Sequence, residues 1–429
     1  MKIGSARRLR GDCLVPGDKS ISHRAAIIAS MAAGVSTVEN FSTAADCGAT
    51  LSCLSSLGVG IEQDGTTVRI HGSKLRQPNS PLNCGNSGST MRMLAGLLAA
   101  ESFECTLTGD SSLNERPMNR VVEPLQMMGA GFRTDDGRPP LVICGSEQLL
   151  AIEYQLPVPS AQVKTAVLLA GLRAHGRTVI REAIRTRDHT ERMLKWFGVP
   201  VETEDEPDFA VTAVNGPLAL AAADVRIPGD FSSAAYIIAA AAMLPGSQVE
   251  IGSVGLNPTR IQLIGLLRTF GTDIEIIDER ERCNEPEGTI RIRGQAFQHS
   301  PSNLIDGEMS AAMIDELPLL AVVGTQIPGG LVIRDAGELR VKETDRIGAT
   351  AKNLRAMGAT VEETADGFAI DGPSKLHGAT IQTYGDHRIA MAFSVAALIA
   401  DGESEITDAV SVAVSFPDFF ARLESLVKR

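Results

Sequence analysis

The stretch Pro228-Gly229-Asp230-Phe231-Ser232 opens a run of small apolar residues that extends from Ala234 to Leu244. The same order, a Gly/Ser/Pro-rich turn, an alanine-rich helix, a Gly-marked turn and a β-branched strand, occurs six times. The other five turns are Pro16-Gly17-Asp18-Lys19-Ser20, Gly85-Asn86-Ser87-Gly88-Ser89, Pro159-Ser160-Ala161-Gln162, Asp306-Gly307-Glu308-Met309-Ser310 and Gly385-Asp386-His387. A pattern that returns along a chain indicates one supersecondary unit used repeatedly.

A second marker follows the same repeat. A glycine ends an amphipathic helix and leads into an alternating strand at Gly58, Gly129, Gly198, Gly271 and Gly358. Glycine is the expected C-terminal cap of a helix. The pattern predicts strand–helix–strand–helix–strand units of about 70 residues and an α/β fold. The alternative is a plain α/β protein with ordinary glycine turns.

The composition sets limits on the class of protein. With 429 residues, 44% of them apolar, two domains of three units each are expected. No segment reaches the roughly 20 apolar residues that a membrane helix needs, and the N-terminus has no apolar signal region. Seven cysteines without a CxxC pair suit a reducing compartment, so we expect a cytoplasmic protein.

The charge pattern indicates a small anionic ligand. A net charge of −12 argues against nucleic acid or an anionic membrane as partner. Local cations nevertheless cluster in the turns, as in Lys19 with Arg24. The turns near Pro16 and Pro228 are candidate domain boundaries, which predicts one domain at 15–228 and a second at 1–14 plus 229–429.

Three segments of the first half could hold an anion. Lys19 and Ser20 lie at a helix start with Arg24 one turn further on, a pattern that suits a phosphate or carboxylate; a Ser-capped helix is the alternative. Asn86 in its glycine-rich loop offers a hydrogen bond to a ligand, or the loop is a simple turn. Arg116, held extended before a proline, suits a clamp on an anion or lies on the surface.

The second half carries carboxylates beside cations. Lys342 and Arg346 lie one helical turn apart, and Glu343 between them could serve as acid or base; a salt-bridged helix face is the alternative. Asp315 precedes an apolar helix, where it could simply complement the dipole. Arg388 follows a histidine that could be structural. No His or Cys pair has zinc spacing and no dinucleotide motif is present, so neither a metal nor a cofactor is expected.

The combination of motifs resembles the 5-enolpyruvylshikimate-3-phosphate (EPSP) synthase family. The segments that carry the resemblance are PGDKSISHR (16–24), GNSGSTMR (85–92), ERPM (115–118), SAQVK (160–164), RDHTE (187–191), NPTR (257–260), RVKETDR (340–346) and GDHRIAM (385–391). SAQVK, RDHTE and NPTR are similar to the second class of this family, which is often tolerant of the inhibitor glyphosate.

The resemblance implies an enolpyruvyl transferase fold of two domains, each with three βαβαββ units arranged as an inside-out α/β barrel. It implies an active site in the interdomain cleft and a monomer that needs no cofactor. The implied reaction belongs to the shikimate pathway of aromatic amino acid and chorismate biosynthesis. In it, shikimate 3-phosphate and phosphoenolpyruvate give the enolpyruvyl ether and phosphate.

The resemblance also implies roles for individual residues. Shikimate 3-phosphate would be bound by Lys19, Ser20, Arg24, Ser160, Ala161, Gln162, Arg187, Asp315 and Lys342. Phosphoenolpyruvate would be bound by Lys19, Asn86, Gly88, Arg116, Gln162, Arg346 and Arg388. Lys19 would also take part in catalysis. Asp315 would take the proton from the 5-hydroxyl. Glu343 would deliver and later remove the proton at the methylene carbon.

Two other functions stay open at this point. The sister transferase that acts on UDP-N-acetylglucosamine usually has a cysteine in the loop before the Arg-Pro motif, whereas this chain reads Asp110-Ser111-Ser112-Leu113-Asn114. A non-catalytic repeat scaffold fits poorly with the dense charges at the unit starts. The chain also departs from first-class members, because Val414 stands where those have a lysine.

We predict that Gly88→Ala weakens glyphosate binding more than phosphoenolpyruvate binding, because a methyl group would crowd the longer ligand. Some strongly tolerant members of the family carry alanine at this position. The inhibition constant for glyphosate and the KM for phosphoenolpyruvate check this. Equal losses in both would refute the steric explanation.

Overall fold

The computed structural model describes residues 1–300 and 302–429, and it contains two compact units. Unit I comprises Gly17–Ile227 and Arg282–Glu285. Unit II comprises Met1–Pro16, Pro228–Glu281 and Pro286–Arg429.

The strands lie as follows along the chain: β1 (Lys2–Gly4), β2 (Arg8–Leu14), β3 (Ala32–Glu39), β4 (Gly60–Asp64), β5 (Thr67–Gly72), β6 (Leu82–Asn83), β7 (Glu104–Thr108), β8 (Gly131–Asp135), β9 (Arg138–Cys144), β10 (Glu153–Gln155), β11 (Gly176–Glu182), β12 (Glu202–Asp205), β13 (Ala210–Gly216), β14 (Leu220–Ala221), β15 (Val225–Arg226), β16 (Gln248–Gly255), β17 (Asp273–Arg282), β18 (Glu285–Arg293), β19 (Leu304–Ile305), β20 (Leu331–Ile333), β21 (Val361–Thr364), β22 (Gly367–Ile370), β23 (Thr380–Ile381), β24 (Glu403–Ile406) and β25 (Val427–Lys428).

The α-helices are α1 (Lys19–Met31), α2 (Ala45–Ser56), α3 (Gly88–Leu98), α4 (Ser111–Asn114), α5 (Asn119–Met127), α6 (Ala161–Gly171), α7 (His189–Trp196), α8 (Phe231–Met243), α9 (Gln262–Thr269), α10 (Gly307–Ala312), α11 (Leu317–Gly324), α12 (Arg346–Ala356), α13 (His387–Ile399) and α14 (Phe419–Leu426). Two 3₁₀ helices span Gly337–Val341 and Ala409–Val414.

Within the described residues the strands form six sheets, and one topology recurs among them. In the sheet β6-β7-β9-β8, β6 and β7 are parallel, and an antiparallel hairpin of β8 and β9 completes the sheet. The orders β10-β11-β13-β12 and β19-β20-β22-β21 repeat this arrangement. Parallel neighbours need a helical crossover, so each unit of this kind reads βαβαββ. The predicted α/β fold of βαβαββ units is confirmed.

One strand of each repeat is not visible in the strand–helix–strand–helix–strand pattern. It is the second strand of the closing hairpin. The turn between the two hairpin strands is so short that they look like one alternating segment in the sequence. In the β8–β9 hairpin, Asp136 and Gly137 have φ of 49° and 74°. Two consecutive positive φ values belong to the turn type whose twist matches paired strands.

The core of each unit is a set of three packed helices. In unit I, α3 contacts both α1 and α6, and in unit II, α8, α11 and α13 contact one another. Every residue of α8 is buried, from Phe231 to Met243. A helix buried on all sides needs small side chains wherever another helix approaches closely, which explains the alanine-rich composition.

Glycines end the outer helices, as the sequence pattern predicts. Gly58, Gly129, Gly198, Gly271 and Gly358 all have positive φ, between 83° and 104°, one residue beyond the C-cap of α2, α5, α7, α9 and α12. Only glycine adopts this conformation at little cost, so the repeat marker has a direct structural cause.

The starts of the central helices are capped by side chains. Asp18, Ser87, Ser160, Asp230 and Asp386 each accept a hydrogen bond from a backbone N–H of the first turn. The turn at Asp306 differs, because it precedes the short helix α10 and the central helix α11 begins only after Glu316. In the ranges 1–300 and 302–429, none of the helices combines the length and apolarity that crossing a bilayer requires.

We predict that Gly96→Ala destabilises unit I. A Cβ at Gly96 in α3 would lie 2.1 Å from the carbonyl oxygen of Ala166 in α6, so the two helices would have to separate. We expect the free energy of unfolding to fall by roughly 1–3 kcal/mol, measured by urea denaturation.

Gly265→Ala in α9 is the matched control. A Cβ at Gly265 meets no atom within 4 Å, so helix propensity alone should leave stability equal or raise it by up to about 1 kcal/mol. If both variants changed stability alike, close packing between α3 and α6 would not be the cause.

Candidate active site

In unit I, the start of α1 places a cation beside a buried acid. Asp18 accepts a hydrogen bond from the backbone N–H of Ile21 at 2.8 Å and fixes the turn. Lys19 Nζ lies 2.9 Å from Asp46 Oδ2, and Ser20 follows at the half-buried mouth of the helix. Asp46 therefore holds the ammonium group of Lys19 at the helix start, where the backbone also favours anions.

Arg24 is buried beneath that helix start. Its Nη1 donates to the carbonyl oxygen of Ser20 at 2.9 Å, and its Nε and Nη2 donate to Thr190 and Thr165 at 2.7 and 2.9 Å. Burial lowers the pKa of Arg24 to about 10, against the opposing charge of Glu191. The guanidinium is still the charged form at neutral pH, so unit I keeps a buried cation behind its candidate anion site.

The starts of α3 and α6 are joined by hydrogen bonds between side chains. Arg92 Nη1 donates to Gln162 Oε1 at 2.8 Å, and Gln162 Nε2 donates to Ser89 Oγ at 2.8 Å. Arg116 Nη2 donates to Asn86 Oδ1 at 2.7 Å. These contacts bring the glycine-rich loop and the Arg-Pro motif to the same end of the central helices.

Gly88 lies in the middle of this group. A Cβ there would lie 2.7 Å from Arg92 Nη1 and 3.5 Å from Arg116 Nη1. The nearest atom is the end of a flexible side chain, so alanine at this position would displace Arg92 rather than the backbone. Arg92 is also the partner of Gln162, and the substitution would reach that residue indirectly.

The loop before α7 carries Arg187, and a buried ion-pair cluster anchors both ends of the loop. Lys164 Nζ lies 2.8 Å from Glu182 Oε2 and 2.7 Å from Glu191 Oε1, and all three side chains are at least 95% buried. Burial alone would lower the pKa of Lys164, but Glu191 and Glu182 raise it, so the ammonium form is held. Glu182 also accepts a hydrogen bond from Thr186, next to Arg187.

In unit II, the guanidinium of Arg346 lies close to three carboxylates. Arg346 is the first residue of α12 and is 1% exposed. Its Nε lies 2.8 Å from Asp386 Oδ2, its Nη2 2.6 Å from Glu343 Oε2, and its Nη1 3.8 Å from Asp315 Oδ1. Burial alone would lower the pKa of Arg346, but Asp386 and Glu343 raise it above its ordinary value.

A second arginine of unit II faces the same acids. Arg388 Nη2 lies 3.5 Å from Asp315 Oδ2, and its Nη1 donates to the Asp315 carbonyl oxygen at 3.2 Å. The buried Glu316 lies 3.9 Å from Arg388 and 3.8 Å from Arg260, the arginine of the NPTR segment. Asp315 and Glu343 are thus both held by arginines in one small region.

Lys342 is half-buried between the 3₁₀ helix Gly337–Val341 and α12. The expectation that Lys342 and Arg346 lie one turn apart on the same helix is wrong, because Lys342 has an extended backbone and α12 begins only at Arg346. Burial lowers the pKa of Lys342, and the negative charge of Asp315 opposes that effect. Val414 ends the other 3₁₀ helix of unit II, directly before Ser415 and the buried Phe416. Val414 cannot supply the cation that a lysine would provide there.

The structure brings the candidate residues together in two groups, one in each unit. Unit I holds Lys19, Ser20, Arg24, Asn86, Gly88, Arg116, Ser160, Ala161, Gln162 and Arg187. Unit II holds Asp315, Lys342, Glu343, Arg346 and Arg388. Within the described part of the chain, no group of three or more His, Cys, Asp and Glu side chains is arranged to hold a metal ion.

Sequence reasoning missed the partners that hold these residues. Asp46 and Asp386 pair with Lys19 and Arg346, and the hydroxyls of Thr165 and Thr190 hold Arg24. Asp386 and Thr190 lie inside quoted motifs, which was a usable signal. Asp46 lies in no motif, and nothing local marks it.

Comparison with known proteins places this architecture among the enolpyruvyl transferases. The EPSP synthase structure from Acinetobacter baumannii superposes with a TM-score of 0.85 at 39% identity, covering 99% of this chain and 97% of that one. The enolpyruvyl transferase NikO from Streptomyces tendae shares the fold, with a TM-score of 0.79 at 20% identity, covering 99% of this chain and 96% of that one.

The family model for EPSP synthase (3-phosphoshikimate 1-carboxyvinyltransferase) matches residues 3–423. The 3-phosphoshikimate 1-carboxyvinyltransferase of Solibacter usitatus is 48% identical over 431 residues, covering 100% of this chain and 99% of that one. The 3-phosphoshikimate 1-carboxyvinyltransferase of Bacillus licheniformis is 44% identical over 438 residues, and the match covers 100% of this chain and 100% of that one. The chain belongs to the EPSP synthase family. It is a transferase. The resemblance and the activity predicted from it are confirmed, and the alternative activity on UDP-N-acetylglucosamine is not favoured.

We predict that His23 makes unit I less stable in mild acid. His23 is fully buried and its Nδ1 lies 2.7 Å from Thr50 Oγ1. Burial, with Lys19 and Arg24 nearby, lowers the pKa of His23 from 6.5 to about 3. Between these values the unfolded chain binds a proton that the folded protein does not, so stability falls as pH drops below 6.5.

The measurement is urea unfolding at pH 8 and pH 5 for the wild type and His23→Asn, in which no histidine titrates at this position. The linkage amounts to about 2 kcal/mol lost at pH 5, and the variant should lack that loss. An identical pH dependence in both proteins would show that His23 does not titrate as described.

Proposed function

We propose that the two residue groups serve one reaction, in which unit I chiefly binds the anionic substrates and unit II chiefly moves protons. The proposed reaction transfers the enolpyruvyl group of phosphoenolpyruvate to the 5-hydroxyl of shikimate 3-phosphate. The support is the different electrostatic character of the groups: in unit I, Lys19 and Arg24 lie in the first two turns of α1 and Arg116 lies between α4 and α5, whereas Asp315 and Glu343 lie among arginines in unit II.

The proposed chemistry needs one acid and one base. The 5-hydroxyl oxygen forms a bond to C2 of phosphoenolpyruvate while Asp315 takes the hydroxyl proton and Glu343 gives a proton to C3. In the second half, the C2–O bond to phosphate breaks and Glu343 takes back a proton from the new methyl group. Phosphate leaves with the proton that Asp315 took from the hydroxyl, and the vinyl double bond forms again. Two carboxylates in different surroundings can divide such work.

The contacts of Arg346 support this division. Its Nη2 lies 2.6 Å from Glu343, whereas its Nη1 lies 3.8 Å from Asp315. An anionic substrate bound to Arg346 would compete with Glu343 for the guanidinium and add a negative charge beside it. Nearby negative charge favours the protonated form of a carboxyl group. Substrate binding would therefore prepare Glu343 as the proton donor.

Binding of the shikimate phosphate is proposed for the starts of α1 and α6. Ser20, Ser160, Ala161 and Gln162 offer hydroxyl, amide and backbone N–H groups there, and Arg187 adds a half-buried cation. A helix N-terminus favours phosphate through its unpaired N–H groups and its dipole. Lys342 of unit II is proposed to contact the same substrate, and Asn86, Gly88 and Arg388 to contact phosphoenolpyruvate.

The protein is proposed to act as a cytoplasmic monomer without a cofactor. The reaction as written needs no electron acceptor and no group carrier, because the new C–O bond replaces the C–O bond to phosphate. The proposed site comprises residues of both groups. The test is phosphate release from phosphoenolpyruvate in the presence and absence of shikimate 3-phosphate; release that does not depend on shikimate 3-phosphate would contradict the proposal.

We predict that Asp315→Asn and Glu343→Gln each lower kcat by about 10²-fold or more, because each removes a proton-transfer group. Urea unfolding shows whether the variants remain folded. Glu362→Gln, which changes an exposed side chain on strand β21, is the control and should keep normal turnover. Near-normal kcat in either test variant would remove that carboxylate from the mechanism.

A further inference from the structure

Two buried threonines link Arg24 to the start of α6. Arg24 Nε donates to Thr190 Oγ1 at 2.7 Å, and Arg24 Nη2 donates to Thr165 Oγ1 at 2.9 Å. The two hydroxyl oxygens lie 2.6 Å apart, and Thr165 Oγ1 lies 2.6 Å from the carbonyl oxygen of Ala161. Both threonines are at most 1% exposed.

The chemistry of these groups permits one direction of hydrogen bonding. A carbonyl oxygen only accepts, so the Thr165 hydroxyl must donate its single proton to Ala161. Thr165 can then only accept a hydrogen bond from Thr190, so the Thr190 hydroxyl donates its single proton to Thr165. Each arginine N–H meets an oxygen with a lone pair available, which is the only arrangement that satisfies all four groups.

A neighbouring ion pair holds the two threonines in register. Lys164 precedes Thr165 on α6, Glu191 follows Thr190 on α7, and Lys164 Nζ lies 2.7 Å from Glu191 Oε1. The charged pair and the hydroxyl pair therefore connect the same two helices at adjacent positions. Separating the two partners would leave uncompensated buried charges, so the ion pair holds the two helices together at this point.

This arrangement also limits what Arg24 can do. The guanidinium carries five N–H groups, and hydrogen bonds to Thr190, Thr165, Ser20 and Ala161 engage four of them. The remaining N–H is on Nη1, the nitrogen that also donates to the carbonyl oxygen of Ser20. A single N–H can help bind a phosphate only if the guanidinium is held in one orientation.

We propose that Thr165 and Thr190 are positioning residues, whose hydroxyls orient Arg24 between the starts of α1 and α6 for recognition of shikimate 3-phosphate. This inference rests on the proposed function, because Arg24 is assigned to that substrate. The threonines touch Arg24 and the backbone at Ala161, and they act on the substrate through those groups. Neither threonine is proposed to contact a substrate.

The first test is Thr190→Val, which keeps the side-chain shape and removes the hydroxyl. We expect the Kd for shikimate 3-phosphate, measured by calorimetry without the second substrate, to rise about tenfold, since a hydrogen bond to a charged group is lost. Thr165→Val should act in the same way. Thr190→Ser restores the hydroxyl and should bind within about twofold of the wild type.

A matched control separates this effect from a general loss of packing. Thr178 on β11 is also buried, and within residues 1–300 and 302–429 its hydroxyl has no hydrogen-bond partner. Thr178→Val should leave the Kd unchanged. The KM for phosphoenolpyruvate should also stay constant in the Thr190 variants, whereas a merely structural defect would raise both constants.

Arg24→Lys separates failure of this inference from failure of the function on which it rests. Lysine keeps the charge but lacks the planar fork, so binding should weaken, and adding Thr190→Val should then cause little further loss. If Arg24→Lys weakens binding and Thr190→Val does not, the positioning role is wrong. If Arg24→Lys binds normally, the assignment of Arg24 to the substrate fails, and the positioning role fails with it. A wild-type protein that does not bind shikimate 3-phosphate would overturn the proposed function itself.

Discussion

The buried pair of Arg346 and Asp386 is the constraint on which the rest of unit II depends. Asp386 caps α13 through the backbone N–H of Arg388 and also binds Arg346, the first residue of α12. One carboxylate thereby ties two helix starts together. Loss of either partner would leave an uncompensated buried charge, which is far more costly than loss of a surface ion pair. The same pair sets where Glu343 and Asp315 can lie, since both face the Arg346 guanidinium.

Unit I stabilises a buried cation with different chemistry. Its buried Arg24 is satisfied by hydroxyl and carbonyl oxygens, which carry no charge. Its Lys164 is paired with Glu182 and Glu191, which lie at the two ends of the loop that carries Arg187. Arg24 of unit I is thus held by uncharged oxygens, whereas Arg346 of unit II is held by carboxylates. Under the proposed function, one repeat fold would serve both binding and proton transfer, because the difference lies in a few residues near the helix starts.

The repeat and its boundaries could be predicted from sequence because each has a local physical cause. Gly58 and its equivalents need positive φ, and Asp18 and Ser87 must satisfy backbone N–H groups of a new helix. The hairpins were less visible, although Asp136-Gly137 is a recognisable turn signal. Partners such as Asp46 follow only from the packing of distant segments, and periodicity carries no information about that. Which substrate each domain binds, and what each residue does there, stay predictions.

The first strands of the chain have a consequence for biosynthesis. Strand β1 pairs with β24 near residue 405, and β2 pairs with β16 and β25, so both must wait for partners that leave the ribosome much later. Residues 17–227, by contrast, contain nearly all of unit I and are synthesised without interruption. Unit I can therefore form while translation continues, whereas β2 stays unpaired and open to chaperones until β16 has been synthesised, and β1 until β24 has been synthesised.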